Sequence, residues 1–483
     1  MHNRVLSAPT APSDLDLSRR DNCVDPDPAN TVTDRINTLL NSSGPGYVLT
    51  LCPNREYVLQ SPILFAAPDQ EISTLGYPTD GSRATLTVNG PVANGVGHTT
   101  AVDGTCSDCS GITLRHVQIN GGRRIAPPTS GGANIEFGGD NANQTIEFVR
   151  SFDPRSWSCL HIAEGPFTCT NILIQNNDIG PCGVDAFQEW ADGISVSCQS
   201  SIVRNNMVKG PTDGGIVLFG SPGTQVYNNT IWITNQTLLG GINMVDYLPW
   251  NGNFSNTVVR NNTIIGGYAT GVGDKQKGTN ADDAIIKIGI AMGPRTWFGD
   301  RYLSNVSSGG TVENNIFSGA FSYAMAMSSA SDFIVQNNIL VGNTSFIGAS
   351  GPNCSTSDIV PTPAPFVYDN STTGVTLQTD FQLIPDADSL TCVVPPDGGD
   401  YWPYGGDPGA SSASTSAEQS SSSMSATSST VGVAVGVIIG IGVLGVFTWF
   451  LRKWFLKRIE QKHLYEQSKE LVPGKGLGYI KHA

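Results

Sequence analysis

The chain has 483 residues, 39% apolar and 14% charged, with 55 glycines. That is enough apolar side chain for a large core, too regular for a disordered chain, and rich in the residue that builds tight turns between strands. The net charge of −14 is uneven: of 27 Lys/Arg and 41 Asp/Glu, eight and three lie from Arg452 onward, leaving 19 against 38 ahead of it. A bulk that acidic repels phosphate, which excludes DNA and RNA as partners.

Residues 1–22 are polar and read as a disordered N-terminal segment; they lack the apolar stretch of a signal peptide. Arg19-Arg20 has the form of a dibasic cleavage site, or is simply two arginines in a polar tail. Residues 23–405 form the main domain. Its cysteines belong to a set of ten in the chain, an even number without zinc-ligand spacing, which points to a disulfide-permissive compartment. Cys106 is expected to bridge to Cys109, Cys23 to Cys52 and Cys354 to Cys392.

An apolar residue closely followed by Asn-Asn recurs, with the first Asn at 176, 205, 228, 261, 314 and 337. Two of the intervals are 23 residues, the basic unit. Alternating with these are short apolar segments at Asn134-Ile-Glu-Phe, Leu160-His-Ile-Ala, Gly193-Ile-Ser-Val, Gly215-Ile-Val-Leu and Gly241-Ile-Asn-Met. Each unit reads as two short strands joined by Gly/Asn turns. A four-residue strand cannot bury its apolar face alone, so the units must stack, each strand pairing with its counterpart one coil on. Asn at an equivalent turn tolerates left-handed backbone and stacks its amide in a ladder. A β-propeller would need four strands per 40 to 50 residues and lacks its signature. Residues 268–284 are expected to form a projecting loop.

Beyond the domain, residues 406–430 form a Ser/Thr-rich stalk. Residues 431–451 carry no charge and are long enough to cross a bilayer as a helix. Arg452, Lys453, Lys457 and Arg458 follow at once, so residues 452–483 are expected in the cytoplasm and everything before the helix outside. On that topology the chain is a single-pass membrane protein of the cell surface or secretory pathway, and a translocated N-terminus requires an upstream signal that residues 1–22 do not supply. Gly432, Gly436 and Gly440 lie on one helix face and would permit a homodimer. Glycosylation sequons stand at Asn41, Asn143, Asn228, Asn235, Asn253, Asn261, Asn305, Asn343, Asn353 and Asn370, none past the membrane segment.

The repeats resemble the right-handed parallel β-helix of the pectin-lyase-like superfamily over residues 106–350, and within it the membrane-anchored fungal type. The resemblance implies an all-β ectodomain, a right-handed parallel β-helix, joined to one C-terminal transmembrane helix. It also implies a carbohydrate-related role, since that superfamily mostly cleaves, esterifies or epimerises acidic polysaccharides.

Asp192-Gly193 and Asp213-Gly214 lie 21 residues apart, one coil, which would put two carboxylates on neighbouring rungs about 5 Å apart. They resemble the first two catalytic motifs of polygalacturonases. Ala191 and Gly214 depart from that pattern, no Gly-His-Gly follows, and Ile286-Lys287-Ile288 only echoes the family's Arg-Ile-Lys. Asp-Gly is equally a strand-entry turn. The period-2 rule places Glu136, His161, Ser195, Val217 and Asn243 in one outward column, where Glu136 and His161 can serve as acid and base. Arg295 is the expected cation of the site, as a base or uronate clamp, or else an ion-pair partner of Asp300.

Asp185, Glu189 and Trp190, with Asp246, Tyr247 and Trp250, combine acids for hydroxyls with rings for pyranose faces. They are expected to bind sugar, and such carboxylates can also hold calcium; loop packing is the plainer reading. Together these features point to a surface protein that binds or processes polysaccharide as a hydrolase or lyase. The alternative is a non-catalytic adhesion or wall-attachment module.

Overall fold

The computed structural model describes residues 23–184, 189–233, 236–267, 285–346, 348, 364–385, 387 and 390. The stalk, residues 431–451, the basic tail, Asp185, Asn235, Asn353, Cys354, Cys392 and the loop 268–284 lie outside them. Among the described residues no helix is long and apolar enough to cross a membrane.

The Asn-Asn pairs set the geometry of the coil. The first Asn of each pair holds φ between 55° and 57°, the left-handed turn that Asn tolerates better than other side chains. The second Asn is buried. Its Nδ2 donates to the Oδ1 of the next coil's Asn, at 2.9–3.0 Å along Asn177, Asn206, Asn229, Asn262, Asn315 and Asn338. Each backbone N–H donates to the same oxygen, and Nδ2 also donates to a strand carbonyl such as Val203. Gln378 takes over as acceptor at the C-terminal end. The ladder therefore satisfies an otherwise costly row of buried amides.

Around this corner wind three parallel ladders rather than two, a correction to the expected unit. The first has eleven strands from Val48–Leu51 to Thr376–Leu377, mostly three residues long, whose central residue, for example Leu114, Ile146, Ile174 or Val203, points into the core. The second follows the Asn turn, with strands such as Asp178–Ile179, Met207–Lys209 and Thr230–Trp232. The third contains Ile135–Gly138, Ser158–Ala163, Asp192–Val196, Gly214–Leu218, Leu238–Met244 and Ile286–Met292. The missed strands are those of the second ladder, too short to show an alternating pattern. The coils also begin at Val48, well before residue 106, and continue to Phe381–Leu383.

The helix Val32–Ser43 caps the N-terminal end, burying Val32, Ile36 and Leu40 at helical spacing. Asn37 accepts from Leu64 N–H and donates to Pro62 O, and Gln70 Nε2 satisfies the helix-end carbonyl of Leu40 at 2.7 Å. Disulfides Cys23–Cys52 and Cys106–Cys109 form as expected, and Cys159–Cys182 and Cys169–Cys198 tie adjacent coils.

Candidate active site

The outward column of the third ladder has the expected register: Glu136, His161, Ser195, Val217 and Asn243 stand on successive rungs, followed by Ala291 and Ala326. Its N-terminal half is polar. Its C-terminal half is covered by a second apolar cluster that includes Ile288, Ala291, Trp297, Tyr323 and Ala326. Neither half is an open groove, because every third-ladder residue of Asp192–Val196 and Gly214–Leu218 is buried.

In the polar half, Glu136 Oε2 lies 2.7 Å from His161 Nδ1. The His161 side chain is only 4% exposed and that of Glu136 16%, so Glu136 is its nearest opening to water. Trp157 lies edge-on to the imidazole at 4.9 Å between centroids, with Phe219 at 6.5 Å. One rung on, Ser195 Oγ donates to Asp192 Oδ2 at 3.0 Å and meets Ser158 Oγ at 3.1 Å, while Asp192 Oδ1 accepts from Gly214 N–H. Glu164, buried just past the end of the His161 strand, completes the cluster. His161 Nε2 and Glu164 Oε2 are both buried with no hydrogen-bond partner.

Burial works to lower the His161 pKa, but Glu136 beside it, with Glu164 and Asp192, outweighs burial and holds the imidazolium above its usual range. Burial raises the Glu164 carboxyl, against the opposing pull of its own backbone N–H, of His161 and of the Ser197 hydroxyl. With Nδ1 engaged by Glu136, Nε2 is the nitrogen left to give or take a proton. Trp157 and Glu164 escaped the sequence reading because both lie at strand ends, where alternation no longer gives direction. The turn signature Gly165-Pro166 directly after Glu164 is the signal that could have found the latter.

The other expected residues are dispersed. Asp213 is not the rung neighbour of Asp192: Ile194 pairs with Ile216, which sets Asp192 opposite Gly214. The coil here is 22 residues, from Ile194 to Ile216, one more than the 21 that separate the two aspartates. A Cβ on Gly193 would stand 2.6 Å from Gly215 O and one on Gly215 2.5 Å from Gly241 O, so both glycines are required by rung spacing. Arg295 follows the strand four rungs from His161, about 19 Å away at the usual rung spacing, and pairs with Asp369 at 3.9 Å. Lys287 is buried in that same distant strand.

The expected sugar-binding set also divides. Glu189 and Trp190 precede the strand Asp192–Val196, whereas Asp246, Tyr247 and Trp250 follow Leu238–Met244, so a strand length of about 16 Å separates the two groups. Glu189 pairs with Arg123 at 3.6 Å in a cleft of about 280 Å³ that Arg124, Asp153 and Gln236 also line. Trp190 packs against the second apolar cluster, Asp246 is buried, Tyr247 meets Tyr302, and Trp250 Nε1 donates to Ser197 O at 2.6 Å. No group of three or more His, Cys, Asp or Glu able to hold a metal occurs among the described residues.

Residues 167–290 match the family described as the right handed beta helix region. No curated protein matches the chain in sequence. Among solved structures, the mannuronan C-5 epimerase AlgE4 A-module of Azotobacter vinelandii is similar over 76% of this chain and 90% of its own, at 12% identity and a TM-score of 0.46. Endopolygalacturonase I of Stereum purpureum is similar over 73% and 97%, at 12% and 0.36. The α-1,3-glucanase catalytic unit of Streptomyces thermodiastaticus is similar over 74% and 66%, at 10% and 0.38. Likenesses this distant say nothing about chemistry.

Proposed function

We propose that this chain, a parallel β-helix whose residues 167–290 match the right handed beta helix region, binds and processes polysaccharide at the His161 cluster. One observation carries this reading: two buried polar atoms, His161 Nε2 and Glu164 Oε2, stand without partners in the same cluster. An unsatisfied buried group costs about 1–3 kcal/mol, a cost that is recovered when a substrate hydroxyl or glycosidic oxygen supplies the missing bond. In this scheme His161, held by Glu136, moves the proton, Glu164 is the second acid, and Asp192 positions Ser195. Asp213 and Arg295 have no part in it. The test is product analysis after incubating the purified full chain with a panel of wall polysaccharides, for wild type and Glu164→Gln. Product from the wild type that falls at least a hundredfold in the variant supports it; equal turnover by both sinks it.

A second reading, a non-catalytic attachment module, is favoured by the complete burial of Asp192 and Ser195. Binding without any product selects it.

We further propose that the domain is displayed outside the cell on residues 431–451, with paired helices meeting at Gly432, Gly436 and Gly440. Supporting this, the sequon residues Asn41, Asn143, Asn228, Asn253, Asn261, Asn305, Asn343 and Asn370 are all exposed, and four disulfides link the described domain. Protection of the domain from protease added outside intact cells would contradict it.

A further inference from the structure

The strand Ser158–Ala163 runs directly into a four-residue turn, Glu164-Gly165-Pro166-Phe167, closed by the Phe167 N–H donating to Glu164 O at 3.1 Å. Phe167 ends this turn at φ +68°. For a bulky aromatic residue that conformation is an outlier costing on the order of 1–3 kcal/mol. Core burial does not compensate, because Phe167 is 49% exposed.

Its ring lies edge-on to Trp250, 5.1 Å between centroids and 80° between planes. The indole is fixed in turn by its bond to Ser197 O and by Gly220, where a Cβ would stand 2.6 Å from Trp250 Cβ. A strained turn, an exposed ring and a cleared backbone thus hold two aromatic side chains at the end of the turn that begins with Glu164.

We propose that Phe167 and Trp250 form a stacking ledge for a neutral pyranose residue next to Glu164, an inference that rests on the polysaccharide reading above. A pyranose has a face of C–H groups that lies on the electron-rich face of an aromatic ring, with its hydroxyls projecting at the rim. Three residues before Phe167, Glu164 Oε2 is buried without a partner, and in this proposal the seated sugar supplies the missing bond through a hydroxyl or the linking oxygen. The neutral class follows from charge. The groups around the ledge and cluster are the carboxylates of Glu136, Glu164, Asp192 and Asp140, whose partner is Thr168, with His161 the cation that acts on Glu164. A uronate carboxylate would meet like charge there.

The experiment measures binding of the full chain to soluble β-glucan, α-glucan, galactomannan and polygalacturonate, with thermal unfolding of each variant alongside. Phe167→Asn accepts the left-handed backbone and removes the ring; Phe167→Tyr keeps it. The wild type is expected to bind a neutral polysaccharide, Phe167→Asn to weaken that binding about tenfold without a lower unfolding midpoint, and Phe167→Tyr to restore it. Undiminished binding by a folded Phe167→Asn overturns the ledge while leaving the polysaccharide reading intact. Binding of polygalacturonate alone overturns the neutral class. Binding to none of the four overturns the polysaccharide reading and the ledge with it.

Discussion

The Asn corner and the outer face of the third ladder are built on the same stack of coils yet follow opposite rules. At the corner one residue type recurs from Asn177 to Asn338, and each amide closes its bonds on the next coil. On the outer face the residue changes at every rung, Glu136, His161, Ser195, Val217, Asn243, and buried atoms are left open. Repetition satisfies the fold; the break in repetition leaves buried bonding capacity open.

The sharpest way to break this contrast is at the corner. Asn262→Ala strips Asn229 of its Oδ1 acceptor and removes the Nδ2 bonds to Val226 O and to Asn315 Oδ1, so a loss of roughly 3–5 kcal/mol is expected, read as a lower denaturant midpoint. Asp192→Asn should cost less, about 1–2 kcal/mol, since the amide can keep only one of the bonds from Gly214 N–H and Ser195 Oγ.

A smaller effect concerns pH. The folded His161 value lies above 6.5, so its contribution to stability is complete below about 6.5 and is lost as pH rises through the raised value. Glu164, raised above 4.5, acts in the same sense from a lower starting point. The stability difference between wild type and His161→Gln should therefore shrink as pH rises from 6 to 9, measured by chemical unfolding at each pH. Smallest of all, Asn41→Gln on the exposed face of the helix Val32–Ser43 should change stability by no more than about 0.5 kcal/mol, while removing one glycan's worth of gel mobility.

The sequence made the column Glu136, His161, Ser195 legible because a strand's side chains alternate strictly, and the corner legible because Asn-Asn recurs. Equal spacing failed where the coil length changes: the coil from Ile194 to Ile216 is 22 residues, so Asp192 stands on the rung of Gly214 rather than that of Asp213. Glu164, Trp157 and Phe167 sit in turns, where no period assigns a face. Trp190 and Trp250 looked like one aromatic site because sequence spacing does not reveal that a strand lies between their turns.

The most direct measurement sets polysaccharide turnover beside thermal unfolding for wild type, His161→Gln and Asn262→Ala, all as full chain. At pH 9, where the His161 contribution to stability is lost, His161→Gln should abolish turnover with an unfolding midpoint close to wild type, and Asn262→Ala should unfold far earlier yet turn over substrate normally below its midpoint. Full turnover by His161→Gln, or a loss of stability in it as large as that of Asn262→Ala, would contradict the assignment of the outer face to function.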